Sequence, residues 1–155
     1  MNPIHEGTHG IQALDLLGRK VVMQGGAGLA LLASVMGETV DRAEKEGGTT
    51  AAHATALRAT LDRVLEVTAT VWSVGDVELS LANATVYLEA VGHLVLAWTW
   101  LEQLLACTGK QGAFYDGKRA AAAYFFAWEL PKTGPQLDLL ASLDRTPLDM
   151  QDAWF

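Results

Sequence analysis

Residues 86 to 105 read VYLEAVGHLVLAWTWLEQLL, and their apolar positions recur every three or four residues, the repeat of a helix with one side turned inward. Val86, Ala90, His93, Leu94, Ala97, Leu101, Leu104 and Leu105 share one seam. Tyr87, Val91, Val95 and Trp98 widen it into a face so broad that the helix is expected to be the most buried of the molecule. The inner run LVLAWTWL, residues 94 to 101, falls well short of the ~20 apolar residues of a spanning helix, with Glu89 and His93 before it and Glu102 after it. A core helix is therefore expected, and no membrane partner.

The same spacing recurs on both sides. A short helix is predicted over about residues 9 to 22, with Ile11, Leu14, Leu17 and Val21 inward, before Gly25-Gly26 interrupts it. A second runs to about Glu46 on a stripe of Leu29, Leu32, Ala33, Met36 and Val40, and Gly47-Gly48 ends it. A third, capped by Thr49 or Thr50, buries Leu57, Leu61, Val64, Leu65, Thr68, Val71 and Trp72. Gly75-Asp76 separates it from the long apolar helix. Beyond that, a fifth helix from about Gly112 to Leu130 is expected to turn Phe114, Gly117, Ala121, Tyr124, Phe125 and Trp128 inward and to stop near Pro131. LDLLASL predicts one more short helix, and DMQDAWF reads as a tail that docks on some surface.

Alternating strand patterns are absent, so the class is all-α, an antiparallel up-and-down bundle of about four main helices with a short N-terminal helix and a C-terminal tail. Three stretches follow from this: 1–22, 23–131 with the bundle, and 132–155. A chain of 155 residues suits one core, and half of it is hydrophobic. Eighteen acidic residues against 11 basic ones give a net charge of -7, and no basic stripe is present to meet a phosphate backbone, so nucleic acid is not an expected partner. Cys107 is the lone cysteine, which excludes an internal disulfide and points to the cytoplasm.

The opening MNPIHEGTHG contains His5-Glu6-Gly7-Thr8-His9, a match to the zinc-hydrolase pattern H-E-x-x-H. Zinc needs both histidines on one face of a continuous helix and a third ligand. Pro3, Gly7 and Gly10 argue for a loop entering a helix instead, and Glu89 with His93 makes only one of the pairs a di-metal bundle requires. No metal site is expected. His93 reads as a core histidine bonded to a neighbour, and His53 as an exposed one.

Extended to HEGTHGIQALDLLGRK, the stretch resembles the acyl-CoA dehydrogenases, flavoproteins that carry a Y-E-G-T-x-x-I-Q type segment near the end of their catalytic core. Glu6-Gly7-Thr8 and Ile11-Gln12 fit in order and spacing. LANATVYLEAVGHLV and AFYDGKRAAAAYFFAWELPKT look like the helical C-terminal extension of a longer subgroup, the methylthio-propanoyl-CoA type, so the resemblance covers nearly the whole chain.

This resemblance implies that Glu6 is the base that removes the α-proton of an acyl-CoA thioester, while FAD takes a hydride from the β-carbon. It implies that Gly7, Thr8 and Gly10 lie against the cofactor, the Thr8 hydroxyl and nearby N–H groups meeting a phosphate or adenosine group. His5 stands where Tyr is common, and Gly10 where many members have Gln, so the side-chain contact implied there is either missing or supplied by backbone. Residues 1–22 then close a catalytic core whose N-terminal and β domains have no counterpart in this chain. FAD is not expected to bind it tightly, and the isolated chain is expected to be inactive. The partners implied are acyl-CoA, through the full enzyme, the remaining dehydrogenase domains and a second copy of the chain. The alternative is a stand-alone helical interaction module without catalysis. The exposed apolar surface discriminates the two: a truncated domain is expected to present an apolar patch where its core was, most cheaply hidden by pairing of copies.

Overall fold

A computed structural model describes residues 7–154, and every regular element among them is helical. Helix α1, His9–Asp15, continues through a wider π turn, Leu16–Lys20. Gln24, Gly25 and Gly26 then all take positive φ, near 53°, 68° and 85°, inside the span of α2, Met23–Glu46, and the chain bends by 100°. Glycine adopts that conformation without the Cβ clash other residues suffer, so the Gly25-Gly26 pair fixes the corner. Gly47 and Gly48, also at positive φ, join α2 to α3, Gly48–Ser73. Because this glycine corner starts α3 already at Gly48, Thr49 and Thr50 fall within its first turn and neither caps it, contrary to the sequence expectation.

Asp76 does act as a cap, its carboxylate accepting from the Leu79 N–H at 3.1 Å. What it caps is a short additional helix, α4, Val77–Leu81. The apolar stretch read first forms α5, Ala84–Ala106. Helix α6, Ala113–Tyr124, passes into a π turn, Phe125–Glu129, and a tight 3-10 turn, Leu130–Lys132, before α7, Thr133–Ala141. The chain therefore does not break at Pro131. The proline sits in the first turn of the 3-10 segment, where its missing N–H would have had no partner anyway. A short helix α8, Thr146–Asp149, and a final turn, Asp152–Trp154, follow.

Helix α5 lies at the centre, packed by α1, α2, α3, α6 and α7, while α3 also contacts α2 and α7. Its length and composition would suit a membrane span, but Tyr87, Ala90, Leu94, Ala97 and Leu101 are buried inside the bundle. The stripes expected of α2 and α3 are inward: Met36, Val40, Leu57, Leu61, Val64, Thr68 and Val71 are buried, and Leu29, Leu32, Leu65 and Trp72 pack on their margin.

Three expectations are corrected. In α1 the inward line is Ala13, Leu17 and Val21, whereas Ile11 and Leu14 are 66% and 49% exposed, because the bend lays the helix across α5 on its alanine side. In α6 only Ala122 is buried, and Phe114, Gly117, Tyr124 and Trp128 face solvent. The extra residue of the π turn brings both Phe125 and Phe126 inward, and with Leu130 they fill the space that the whole α6 stripe was expected to fill. His53 is half-buried, stacked on Phe126 with ring centroids 4.2 Å apart. Trp154 stays exposed, so the described part of the tail is not docked on this chain.

Several buried polar groups find partners across the helices, although Trp72 Nε1 and Gln136 Oε1 are buried without one. Thr39 of α2 accepts from Trp98 Nε1 at 2.8 Å and donates to Glu102 Oε1 at 2.6 Å, and Arg42 pairs with the same carboxylate. The Tyr87 hydroxyl, fully buried, lies 2.7 Å from Thr68, whose own proton goes to the Val64 carbonyl.

Two outcomes test this packing. Leu94→Ala should lower unfolding free energy by about 2–5 kcal/mol, whereas Leu96→Ala, on the exposed side of the same helix, should change it by less than about 0.5 kcal/mol in urea titrations. Burial holds the His53 pKa below its ordinary 6.5, so the unfolded chain takes up that proton first as pH falls. Its contribution is complete above pH 6.5 and is lost as pH drops through the folded pKa. The urea midpoint of His53→Phe, which keeps the stack, should accordingly fall less steeply between pH 7 and pH 5 than that of the parent.

Candidate functional site

The candidate site stands where α1 begins. Glu6, the residue expected to be the base, and His5 lie outside the described residues. Gly7 has φ 62°, a left-handed conformation that places a turn immediately before the helix. Thr8 occupies the N-cap position with φ -111° and ψ 13°, and its carbonyl accepts from the Gln12 N–H at 2.9 Å. The Thr8 hydroxyl does not cap the helix, and the chain is not helical until His9. Gly10 is exposed in the first turn, with open space where a Cβ would stand.

This geometry bears on the zinc pattern. Gly7 is left-handed and Thr8 is not helical, so the described part of the motif is not a helical turn, while His5 and Glu6 lie outside the described residues. Among the described residues, no three His, Cys, Asp or Glu side chains converge as a metal site would require.

The start of α1 is tied to the bundle by polar contacts that spacing alone does not reveal. His9 Nε2 lies 3.8 Å from Glu89 on α5, and the other oxygen of Glu89 accepts from Gln136 of α7 at 3.1 Å. One turn further along α5, His93 Nδ1 lies 2.8 Å from the Glu89 carbonyl, and Nε2 lies 3.6 Å from Glu129 in the π turn. Glu129 also accepts from Lys132 at 2.6 Å, and that ammonium, chiefly, lowers its pKa. His93 is thus a half-buried histidine with neighbours on two elements, as expected, and the segment carrying Gly7, Thr8 and Gly10 enters beside this junction.

A cavity of about 380 Å³ opens at the other end of α5, bounded by Thr50 and His53 of α3, by Cys107, and by Arg119 of α6. Glu89 and Cys107 are 18 positions apart, about 27 Å of helix at ~1.5 Å per residue, so this cavity is not part of the Thr8 site. Its cation is already engaged. Arg119 donates to Asp116 at 2.9 Å and also to the carbonyls of Cys107 at 3.0 Å and Lys110, closing the turn after α5. Lys118 lies over the rings of Trp100 and Phe114. Neither side chain is left free as a phosphate clamp.

The described residues at Thr8 present an edge of backbone and one hydroxyl. The cavity described above lies at the other end of α5, so what the described residues offer a cofactor here is one edge.

The sequence compares with known proteins over both of these regions. Residues 32–151 match the family described as "Acetyl-CoA dehydrogenase C-terminal like". A relative from Mycobacterium tuberculosis, named "Broad-specificity linear acyl-CoA dehydrogenase FadE5", is 26% identical over 173 aligned positions that take in the whole of this chain. The chain spans 28% of that relative's length. With the family matched from α2 through α8 and the fold all helical, the chain belongs to the C-terminal-like family of the acyl-CoA dehydrogenases.

Proposed function

We propose that this chain is the C-terminal part of an FAD-dependent acyl-CoA dehydrogenase acting in fatty acid metabolism in the cytoplasm, with Glu6 as the base that takes the α-proton of the thioester. Residues 1–22 are the end of the catalytic core, 23–131 the bundle of the extension, and 132–155 a short helix and docking tail. A carboxylate suits the role because burial against an acyl chain raises its pKa toward the working range. Gly7, Thr8 and Gly10 supply one edge of the cofactor site, and the remaining dehydrogenase domains supply the rest. FAD bound in that assembled enzyme would supply the hydride acceptor, and the chain alone would be inactive.

One observation carries this reading: the helix that follows the motif leaves an aliphatic flank uncovered. Ile11 and Leu14 of α1, with Val22 and Met23 at the bend, are exposed immediately beyond Gly7 and Thr8. Aliphatic side chains grouped this way are normally covered by protein, and the relative has nearly three quarters of its length outside the region this chain spans. The alternative, a helical interaction module without catalysis, draws on the exposed aromatic residues of α6.

Reconstitution tests both. The purified chain should show no visible flavin absorbance and form no enoyl-CoA. Mixed with the N-terminal and middle domains of a family dehydrogenase cut before the motif, it should restore both. In that mixture Glu6→Gln should keep the flavin and lower turnover by about 100-fold or more. Flavin and turnover in the chain alone would remove the claim of inactivity, full turnover in Glu6→Gln would remove the base, and failure to combine would favour the module.

A further inference from the structure

The front of α1 has no buried side chain to hold it. Among the described residues none ahead of Ala13 is buried: Gly7, Gly10, Ile11 and Gln12 are exposed, and Thr8 and His9 half-buried. The Thr8 hydroxyl makes no capping bond, so the first turn lacks the side-chain contact that commonly secures a helix start. What reaches across to the bundle is His9, whose Nε2 lies within ion-pair reach of Glu89 Oε1 on α5, at 3.8 Å.

Glu89 is itself held. Its other oxygen accepts from Gln136 of α7 at 3.1 Å, and its backbone carbonyl lies 2.8 Å from His93 Nδ1. A carboxylate tied at one oxygen does not swing freely, so the second stays directed at His9. The neighbouring acid does not compete for these partners. Glu129 takes Lys132 at 2.6 Å and faces His93 Nε2 at 3.6 Å, which leaves Glu89 to His9 and Gln136.

Glu6 stands three residues before His9, at most about 10 Å of chain at ~3.3–3.6 Å per residue. Over so short a tether, a shift of the α1 start is passed to the carboxylate. A misplacement of ~1 Å at a reacting group costs up to about 100-fold in rate, even when its cause lies away from the chemistry.

We propose that Glu89 is a positioning residue: held by Gln136, it fixes His9 and with it the segment that presents Glu6 to the α-carbon of an acyl thioester. This role rests on the dehydrogenase reading above for what Glu6 does, and on the contacts among α1, α5 and α7 for how it is held.

Two experiments separate those halves. In the purified chain, hydrogen exchange at the Gln12 N–H, which donates to the Thr8 carbonyl at 2.9 Å, reports the first turn of α1. Glu89→Leu should speed it by about twofold to fivefold, the range an exposed ion pair supports, while exchange at Leu94 in the buried part of α5 stays as in the parent. His9→Ala should do the same, and the double variant should go no further than either change alone. In the reconstituted enzyme, Glu89→Leu should lower kcat by about 10-fold with flavin absorbance kept and KM changed by less than about twofold. His9→Glu should be similarly slow, and adding Glu89→Lys, which swaps the charges, should recover most of the rate. Unchanged Gln12 exchange in Glu89→Leu, a wild-type kcat in that variant, or no recovery in the swapped pair would each overturn the proposal. A wild-type assembly without turnover would instead remove the dehydrogenase reading and this role with it, and the exchange result would then report the anchor alone.

Discussion

Helix α5 has to be covered from several directions at once, and most of the architecture can be derived from that demand. A helix with apolar residues on one narrow stripe needs one neighbour, but α5 buries Ala84, Tyr87, Ala90, Val91, Leu94, Ala97, Leu101 and Leu104, which point to several. At about 1.5–3 kcal/mol for each large side chain removed from water, leaving any of these sides open would exceed the net stability of a typical domain within a few residues. Helices α2 and α3 cover two sides through a glycine corner. Helix α1 crosses another, and the turns from Phe125 to Lys132 with α7 close the rest.

Apolar burial of this kind is tolerant of small rotations, so the register is held by hydrogen bonds that have no alternative partner. Tyr87 illustrates the point: its hydroxyl is sealed among α3 side chains, where an unpaired donor would cost about 1–3 kcal/mol, and Thr68 is the group within reach. Burial also pushes the phenol pKa upward, keeping the proton on. Thr39 does the corresponding work between α2 and α5, where one hydroxyl satisfies an indole N–H and a carboxylate together.

The contrast between what spacing revealed and what it concealed follows from the same physics. The faces of α2, α3 and α5 were legible because each is long and its apolar stripe meets a neighbour along its length. Phe114, Tyr124 and Trp128 form an equally regular stripe, yet regularity states that a face is apolar and not what covers it. Ile11 and Leu14 misled in the same way, since the 100° bend, and not the sequence of α1, decides which side meets α5. At the candidate site, a loop entering a helix was readable from Pro3, Gly7 and Gly10, and Gly7 at positive φ just before the helix start at His9 agrees with it. The contacts of His9 with Glu89 and of Glu89 with Gln136 join elements far apart in sequence, and no local pattern encodes them.

The π turn Phe125–Glu129 brings these strands of the structure together. An ordinary α turn would direct Phe125 and Phe126 to sides 100° apart, whereas the wider turn brings both into the core and leaves Trp128 outside. The same turn delivers Glu129 to His93, one turn along α5 from the carboxylate that meets His9. Since α6 leads from the Cys107 end of α5 toward His93, its exposed stripe ends at the level where the Gly7-Thr8 segment enters the bundle. The exposed stripe and the contact of Glu129 with His93 are thus both set by one local widening of one helix. A change that restored regular α geometry at Phe125–Glu129 would disturb core, stripe and junction together.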